Sequence, residues 1–311
     1  MSLSSDYISE LAKDTGFDLV GFSKYRLLKQ EVIYLNDWLS KGYNGNMKYL
    51  NNNLDKREDV GKILRGCKSI ISLGLNYYSG EKYSQKPDKF KVSRYAWGKD
   101  YHFVIWDMLD LLIKKIKETV FDFEAVYYVD TGPVMDKVWA LNSGLGWMGK
   151  NTNIINKKIG SWFFIGNIIC NSEIDNYSNK IGDFCGNCTK CIDNCPTNAL
   201  LGNYEINASR CISYLNIENK GEIPDEFKGK LKNWLLGCDI CQEVCPWNIK
   251  FSVNTKQLNF IEGKNVEFSE DDFKNLEPSE FKKKFKESPI LRPKLKGIMR
   301  NIEFLKKIET F

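Results

Sequence analysis

Short apolar runs bounded by turn residues recur through the first 175 residues and indicate a mixed α/β domain. Their aromatic and β-branched composition is typical of buried strands, and the predicted strands are 18–22, 68–74, 125–129 and 161–170. Between residues 102 and 118, Ile105, Met108, Leu109, Leu112 and Ile116 recur at helical spacing. Residues 134–143 are also predicted to be helical, and the segment Asp130-Thr-Gly-Pro133 joins the third strand to them.

Eight of the ten cysteines form two linked motifs that indicate iron–sulfur clusters. The first motif reads Cys-x2-Cys-x2-Cys-x3-Cys-Pro, and the second ends in the same Cys-Pro pair after a distant leading cysteine. In bacterial ferredoxins the first three cysteines of such a run bind one [4Fe–4S] cluster, and the cysteine before proline binds the other cluster. This spacing assigns one cluster to Cys185, Cys188, Cys191 and Cys245. It assigns the second cluster to Cys195, Cys211, Cys238 and Cys241.

Zinc sites and disulfides are the alternative uses of these cysteines. Zinc motifs usually pair two Cys-x2-Cys units and have no reason to repeat a terminal Cys-Pro. Disulfide scaffolds are normally short secreted domains. The two remaining cysteines, Cys67 and Cys170, lie outside both motifs, and we expect them to be ordinary core thiols.

The predicted fold is α+β and has three parts. The first 175 residues form the α/β domain, and residues 176–250 form a bacterial ferredoxin-like domain with two [4Fe–4S] clusters and an inserted loop at 212–237. Residues 251–311 form a short basic tail that is predicted to be helical in patches.

Charge is mild overall but concentrated in the tail. The net charge is +5, yet residues 281–311 carry ten Lys or Arg against three Asp or Glu. A solvated lysine-rich surface and a surface for a polyanion such as RNA are both open interpretations. The N-terminus has no basic region followed by an apolar run, and the longest apolar stretch, residues 162–170, is too short to cross a bilayer. We therefore expect a cytoplasmic protein without a membrane partner, which also suits oxygen-sensitive clusters.

Two further features have a structural and a functional interpretation. Gly144, Gly146 and Gly149 satisfy the dinucleotide pattern G-x-G-x-x-G, but they follow a predicted helix instead of a strand, which argues against a nucleotide site. We expect these glycines to admit some other bulky ligand. His102 is the only histidine, so sites with several histidine ligands are excluded. Its polar and aromatic surroundings leave a structural and a functional role equally open.

Four segments in the same order resemble the epoxyqueuosine reductase family, from about residue 8 to about residue 300. They are Arg94-Tyr-Ala-Trp-Gly-Lys-Asp-Tyr-His102, Val129-Asp-Thr-Gly-Pro133, Gly144-Leu-Gly-Trp-Met-Gly-Lys-Asn151 and Gly237-Cys-Asp-Ile-Cys-Gln-Glu-Val-Cys-Pro246. The resemblance implies the last step of queuosine synthesis, on the modified base at the tRNA wobble position. It also implies a cobalamin between the α/β domain and the ferredoxin-like domain, a pairing that the related reductive dehalogenases share.

The resemblance also implies roles for individual residues. Asp130 matches the proton donor of the family. The residues expected to bind the cobalamin are Arg57, Ser93, Asp130, Lys150, Asn151, Ile154, Ile165, Ser213, Asp239 and Ile240. The residues expected on the substrate side are His102, Lys220, Lys282, Lys283 and Lys284. Lys137 stands where many members have Arg, and longer members continue into HEAT-like helical repeats. We therefore expect the basic tail and the inserted loop to supply tRNA contacts.

The expected cobalamin is base-off, because the chain has no Asp-x-His-x-x-Gly motif to offer a histidine ligand. Electrons are expected from a low-potential external donor of the flavodoxin or ferredoxin type. Two other functions stay open at this stage. One is a corrinoid and iron–sulfur reductase of a small molecule, similar to reductive dehalogenases. The other is a non-catalytic electron carrier of the ferredoxin type.

Overall fold

The computed structural model describes residues 2–261 and 265–307 as a mixed α/β protein. Its strands are β1 Leu19–Lys24, β2 Ser69–Asn76, β3 Phe90–Val92, β4 Ala125–Tyr128, β5 Trp147–Met148, β6 Ile154–Ile155, β7 Phe163–Cys170, β8 Leu200–Gly202, β9 Glu205–Ile206, β10 Trp234–Leu236 and β11 Glu267–Phe268. Its α-helices are α1 Ser5–Asp14, α2 Lys29–Ser40, α3 Leu54–Glu58, α4 Tyr101–Thr119, α5 Asp136–Asn142, α6 Lys190–Asp193, α7 Ile240–Glu243, α8 Pro246–Phe251, α9 Leu258–Ile261, α10 Pro278–Lys284 and α11 Lys294–Lys306.

A four-stranded sheet in the order β1-β2-β7-β4 forms the centre of the N-terminal part, and each neighbouring pair is antiparallel. All eight residues of β2 are buried, because helices cover both faces of the sheet. Helices α1 and α4 pack on one face, where Ile105, Leu109 and Ile168 share a core. Helix α5 packs on the other face through the fully buried Trp139. The strands and the long helix predicted from periodicity are thereby confirmed.

A second sheet joins segments that lie far apart in the chain. Strand β3 pairs in parallel with β10 of the inserted loop and antiparallel with β11 of the tail. The core beneath it combines Val92 and Trp97 with Leu236 and with Ile298 and Ile302 of α11. All three predicted parts thus contribute to one hydrophobic core, and the tail packs as part of the protein body.

Two polar side chains of α11 hold the inserted loop in place. Asn301, which is fully buried, donates to the carbonyl oxygens of Asn216 and Leu235 at 2.8 and 2.9 Å. The Arg300 guanidinium donates to the carbonyl oxygens of Leu215, Asn219 and Gly221. Arg300 therefore has a structural role, and this part of the basic tail is not a freely solvated surface.

The glycine pattern at residues 144–149 leads from α5 into the hairpin β5–β6, so the argument against a nucleotide site is confirmed. A Cβ at Gly146 would lie 2.2 Å from the carbonyl oxygen of Ile155, and one at Gly144 would lie 2.6 Å from that of Asn179. For Gly144 and Gly146 the expectation of a bulky ligand was wrong, since the protein's own backbone occupies that space.

Candidate active site

A large cleft lies between the N-terminal part and the ferredoxin-like part. Its volume is about 1240 Å³, above the roughly 300–1,000 Å³ of ordinary small-molecule sites. Its walls come from α3, the start of α4, the loop 130–135, the start of α5, the segment 206–218 and the tail near residue 290. Arg57, His102, Asp130 and Ser213 of the predicted site residues line it together with Cys211. The cleft therefore adjoins the second predicted cluster.

Asp130 projects into this cleft from an uncommon backbone conformation. Its φ of 57° lies in the left-handed region, which non-glycine residues adopt at turns and functional sites. Its Oδ2 accepts a 2.9 Å hydrogen bond from the hydroxyl of Tyr101. The Tyr101 ring stacks on Phe164 at 4.2 Å and is buried. Burial and the Asp130 charge raise the pKa of Tyr101 well above its usual value, so this hydroxyl keeps its proton and donates.

His102 lines the same cleft from the start of α4. Asp100 caps this helix by accepting from the backbone N–H of His102 at 3.0 Å, and the same oxygen lies 2.7 Å from His102 Nδ1. The imidazole stacks on Tyr101 at 4.1 Å. These contacts hold the ring at the mouth of the cleft. The sequence context had left a structural and a functional role for His102 equally open.

Two carboxyls and two cations face each other in the cleft wall. Partial desolvation in the cleft wall raises the pKa of Asp136 to about 7, and the charge of Asp130 adds to the rise. Desolvation in the cleft wall lowers the pKa of Lys137, whose Nζ donates to the carbonyl oxygen of Thr152 at 2.9 Å. Burial also lowers the pKa of Arg57, against the opposing effect of Asp136. Asp136 was not predicted from the sequence, because a lone acidic residue at a helix start usually only caps the helix.

The cysteines fall into two spatial groups. Cys185, Cys188, Cys191 and Cys245 line one cavity of about 140 Å³ beside Phe184 and Trp247. Burial raises the pKa of the Cys241 thiol, and Cys211 and Cys195 lie close enough to raise it further. Burial also raises the pKa of Cys238, with Cys241 and Cys211 among the neighbours that contribute. The first cavity coincides with one predicted ligand set, and the assignment of four ligands to each cluster stays a prediction.

Asp239, between two of the predicted ligands, is held in a buried polar network. It accepts hydrogen bonds from the Ser93 hydroxyl at 2.5 Å, from the backbone N–H of Arg94 at 2.7 Å and from the Tyr83 hydroxyl. Arg94 is itself buried, pairs with Glu243 at 3.0 Å and lies over the rings of four aromatic residues. Those rings belong to Tyr78, Tyr83, Trp97 and Trp162. The network fixes the turn that carries Cys238 and Cys241.

Several residues expected to bind the cobalamin lie outside the wall of the large cleft. Ser93 and Asp239 bond to each other, and Ile154 packs in a small core with Leu145 and Phe163. Lys150 and Asn151 line the cavity of the first cysteine group. Ile165 is partly buried against the small core that contains Ile154. Ile240 is partly buried against the core that contains Tyr214. Their contact with a cofactor stays a prediction.

Basic side chains from the inserted loop and the tail gather beside the cleft. Burial lowers the pKa of Lys220, and the nearby charges of Arg292, Arg300 and Lys294 lower it further, while Glu218 opposes them. Arg292 pairs with Glu218 at 2.8 Å and lines the cleft together with Lys286. Lys282 and Lys283 are exposed on α10, and Lys284 donates to the Asp272 carbonyl oxygen. The segment Tyr214–Glu218 between patch and cleft forms a π-helical turn, a feature frequent at functional sites.

Within the two described ranges, no helix is long and apolar enough to cross a membrane.

Two known families match the chain. Residues 57–131 match the family described as "Epoxyqueuosine reductase QueG, DUF1730", and residues 184–248 match the "4Fe-4S double cluster binding domain". The second match shows that the chain carries a [4Fe–4S] cluster-binding domain.

Relatives match over nearly the whole chain. The epoxyqueuosine reductase of Leadbetterella byssophila is 45% identical over 97% of this chain and 99% of its own length. A crystal structure of epoxyqueuosine reductase with an epoxyqueuosine-modified tRNA-Tyr stem loop is 32% identical, has a TM-score of 0.90 and matches 96% of this chain and 80% of that chain.

The Bacillus subtilis epoxyqueuosine reductase, solved with its catalytic aspartate loop swung out of the active site, is 31% identical with a TM-score of 0.88. It matches 96% of this chain and 80% of that chain. Taken with the near full-length relatives, these similarities show that the chain belongs to the epoxyqueuosine reductase family.

Proposed function

We propose that this protein reduces epoxyqueuosine to queuosine at the wobble position of tRNA. The observation that carries the proposal is that Asp130, held by Tyr101, and Cys211 of the second cysteine group line the same large cleft. A proton donor and an electron-delivering cluster thus face one reaction space. The family's substrate, an epoxide whose oxygen leaves as water, requires both.

The residues present fit the expected cofactors. Each cysteine group offers four thiols, the number that a [4Fe–4S] cluster requires. The cleft is large enough for a group bigger than ordinary small-molecule ligands, and Arg57, Ser213 and Lys137 would lie against a cobalamin bound there. His102, the only histidine, is engaged with Asp100, which supports a base-off cobalamin without a histidine ligand.

The chain's own residues supply the remaining chemistry. A cobalamin, when bound, would supply a strongly reducing metal centre for the epoxide carbon. Asp130 donates a proton to the epoxide oxygen as the ring opens, and Tyr101 keeps its carboxyl aimed into the cleft. His102 and its aromatic neighbours border the space for the base.

Electrons enter at the first cysteine group, whose cavity is lined by an exposed aromatic ring. Phe184 of its cavity is exposed, and Lys157 lies over that ring at 3.7 Å. Exposed Lys190 and Lys250 flank the ligands Cys191 and Cys245 in the chain. An exposed apolar ring surrounded by lysines is a suitable docking surface for an acidic low-potential donor of the flavodoxin or ferredoxin type. The second group then passes the electrons to the cleft.

Transfer RNA lies across the basic patch of Lys220, Arg292, Lys294 and Lys286, with α10 and its exposed Lys282 and Lys283 alongside. Phosphates on both sides of a splayed-out wobble base would contact these side chains while the base enters the cleft. A small-molecule substrate would need no such patch, and an electron carrier would need no cleft.

A reconstitution experiment separates these functions. The protein is loaded with iron, sulfide and cobalamin, reduced, and incubated with epoxyqueuosine-containing tRNA. We expect queuosine in the digested tRNA and a cobalamin absorption spectrum on the purified protein. A protein that binds cobalamin but leaves the tRNA unchanged would contradict the tRNA substrate, and one that binds none would favour the electron carrier.

A further inference from the structure

A second carboxyl, Asp136, opens into the cleft that holds Asp130. It lies at the first position of α5 and shares the cleft wall with Arg57 and Lys137. Its Oδ1 accepts a 2.8 Å hydrogen bond from Asn167 Nδ2. In the part of the chain that the structure describes, no other residue hydrogen bonds to Oδ2, and this oxygen is not enclosed. One oxygen of Asp136 is thus anchored, and the other is accessible from the cleft.

A buried row of polar side chains fixes that anchor. Asn167 is fully buried, and its Oδ1 lies 2.6 Å from the Ser72 hydroxyl, which lies 3.0 Å from the Ser143 hydroxyl. A carbonyl oxygen only accepts, so the Ser72 hydroxyl donates to Asn167 Oδ1. The amide N–H₂ of Asn167 is therefore directed at Asp136. Since Oδ1 is occupied as an acceptor, an acid proton on Asp136 belongs on Oδ2.

The charges around Asp136 favour its protonated form. The groups that face it are Asp130 from the loop, Arg57 from α3 and Lys137 from its own helix. Partial desolvation in the cleft wall and the Asp130 charge raise its pKa to about 7, while Asn167 and Arg57 oppose the rise. A large fraction of Asp136 therefore carries a proton at neutral pH, unlike an ordinary aspartate. Neighbouring carboxyls in different environments commonly divide acid and base roles.

The proposed reaction consumes two protons. Removal of an epoxide oxygen as water breaks two C–O bonds, forms one C=C bond, and takes up two electrons and two protons. The electrons come from the low-potential donor protein. Asp130 is the donor of one proton in the proposed reaction, and with tRNA seated over the cleft the second proton has to come from within it.

We propose that Asp136 is the second proton donor, which gives its Oδ2 proton, through water between the two carboxyls, to the oxygen that Asp130 has already protonated. The oxygen then leaves as water. Both carboxylates regain protons from solvent after the tRNA leaves. This role rests on the proposed function and extends it by one residue.

Two substitutions test separately the acid proton of Asp136 and the shape of its side chain. Asp136→Asn retains an oxygen that accepts from Asn167 but has no acid proton, whereas Asp136→Glu retains the acid. We expect kcat to fall by about 100-fold in Asp136→Asn, the lower end of the range for general acid catalysis, with an unchanged KM for tRNA. Wild-type kcat should decline above a pH of about 7, and Asp136→Asn should lose that decline. Asp136→Glu should recover part of the rate and the decline.

A second readout needs neither turnover nor cofactor. In protein with ¹³C-labelled aspartate carboxyls, we expect one carboxyl to titrate near pH 7 by NMR, and that signal should be missing from Asp136→Asn. An Asp136→Asn enzyme with the wild-type rate and pH profile would overturn the proposal, and so would a wild-type protein without that titration. If the titration is present but wild-type enzyme leaves epoxyqueuosine tRNA unchanged, the proposed function itself fails, and this role of Asp136 fails with it.

Discussion

The hydroxyl of Tyr101 donates a 2.9 Å hydrogen bond to Oδ2 of Asp130, across 29 positions of the chain. Tyr101 is rigid because its ring lies between Phe164 and His102. Asp130 adopts a left-handed backbone conformation at the end of β4, which turns its side chain toward the cleft. The pair directs the Asp130 carboxyl toward the reaction space and leaves this carboxyl accessible.

We expect Asp130→Asn to abolish conversion of epoxyqueuosine tRNA, because an amide cannot donate the required proton. Cobalamin and iron contents should stay at wild-type levels. Tyr101→Phe keeps the stacked ring and removes only the hydrogen bond, so kcat should fall by roughly tenfold, as for loss of about 1.4 kcal/mol of orientation. Queuosine quantified after tRNA digestion checks both variants. Full activity in Asp130→Asn would return this residue to a turn-forming role.

Reversal of the exposed charges Lys282, Lys283 and Lys286 to Glu should raise the KM for tRNA and leave the iron content unchanged. Each lost phosphate contact should also make binding less sensitive to salt. The matched control reverses Lys114, Lys115 and Lys117 on α4, none of which lines the cleft. Binding measured at several salt concentrations gives the slope. Equal slopes for the two triple variants would mean that Lys282, Lys283 and Lys286 form only a solvated surface.

Cys67 and Cys170 should be replaceable by Ala without loss of iron. Both are buried, as predicted, and burial raises the pKa of Cys67 to about 12 and that of Cys170 to about 11, so neither forms a thiolate readily. The double variant should keep about eight iron atoms per chain, the content of two [4Fe–4S] clusters. Iron analysis with Cys245→Ala as the cluster-deficient control checks this. Loss of about four iron atoms from the double variant would show that the ligand sets are wrong.

Asp136 should make the stability of the cofactor-free protein depend on pH. Its pKa is about 7 in the folded protein and near the usual 3.8 in the unfolded chain. Between these values only the unfolded chain releases the proton, so this residue's contribution to the free energy of unfolding falls as pH rises. Above about pH 7 that loss is complete.

The free energy of unfolding of Asp136→Asn, taken relative to that of the wild type, should therefore be higher at pH 8 than at pH 5. The expected increase is on the order of 2 kcal/mol. Urea unfolding at the two pH values measures it. An identical difference between the two proteins at both pH values would contradict the raised pKa.

Much of the N-terminal architecture followed from local pattern. Helix α4 and strand β7 begin and end within two residues of the predicted positions. Burial of one helix face gives α4 its apolar period, and burial on both faces gives β7 a nearly continuous apolar run. Residues that meet through a single polar contact leave no such pattern in the sequence. Asp136 and Asn167 are 31 positions apart, and Ser93 and Asp239 are 146 apart. Neither pair was predicted.

The sequence by itself determined the cluster chemistry, because cluster ligands must be thiols and the fixed short spacing of Cys185, Cys188 and Cys191 is set by local chain geometry. Tertiary structure decided which of the other residues share the cleft. It brought Arg57, Asp130, Asp136 and Arg292 to one space and directed Arg300 into the protein body. The physical reason is that a cleft is formed by packing between distant segments, and the environment of a carboxyl depends on what that packing encloses.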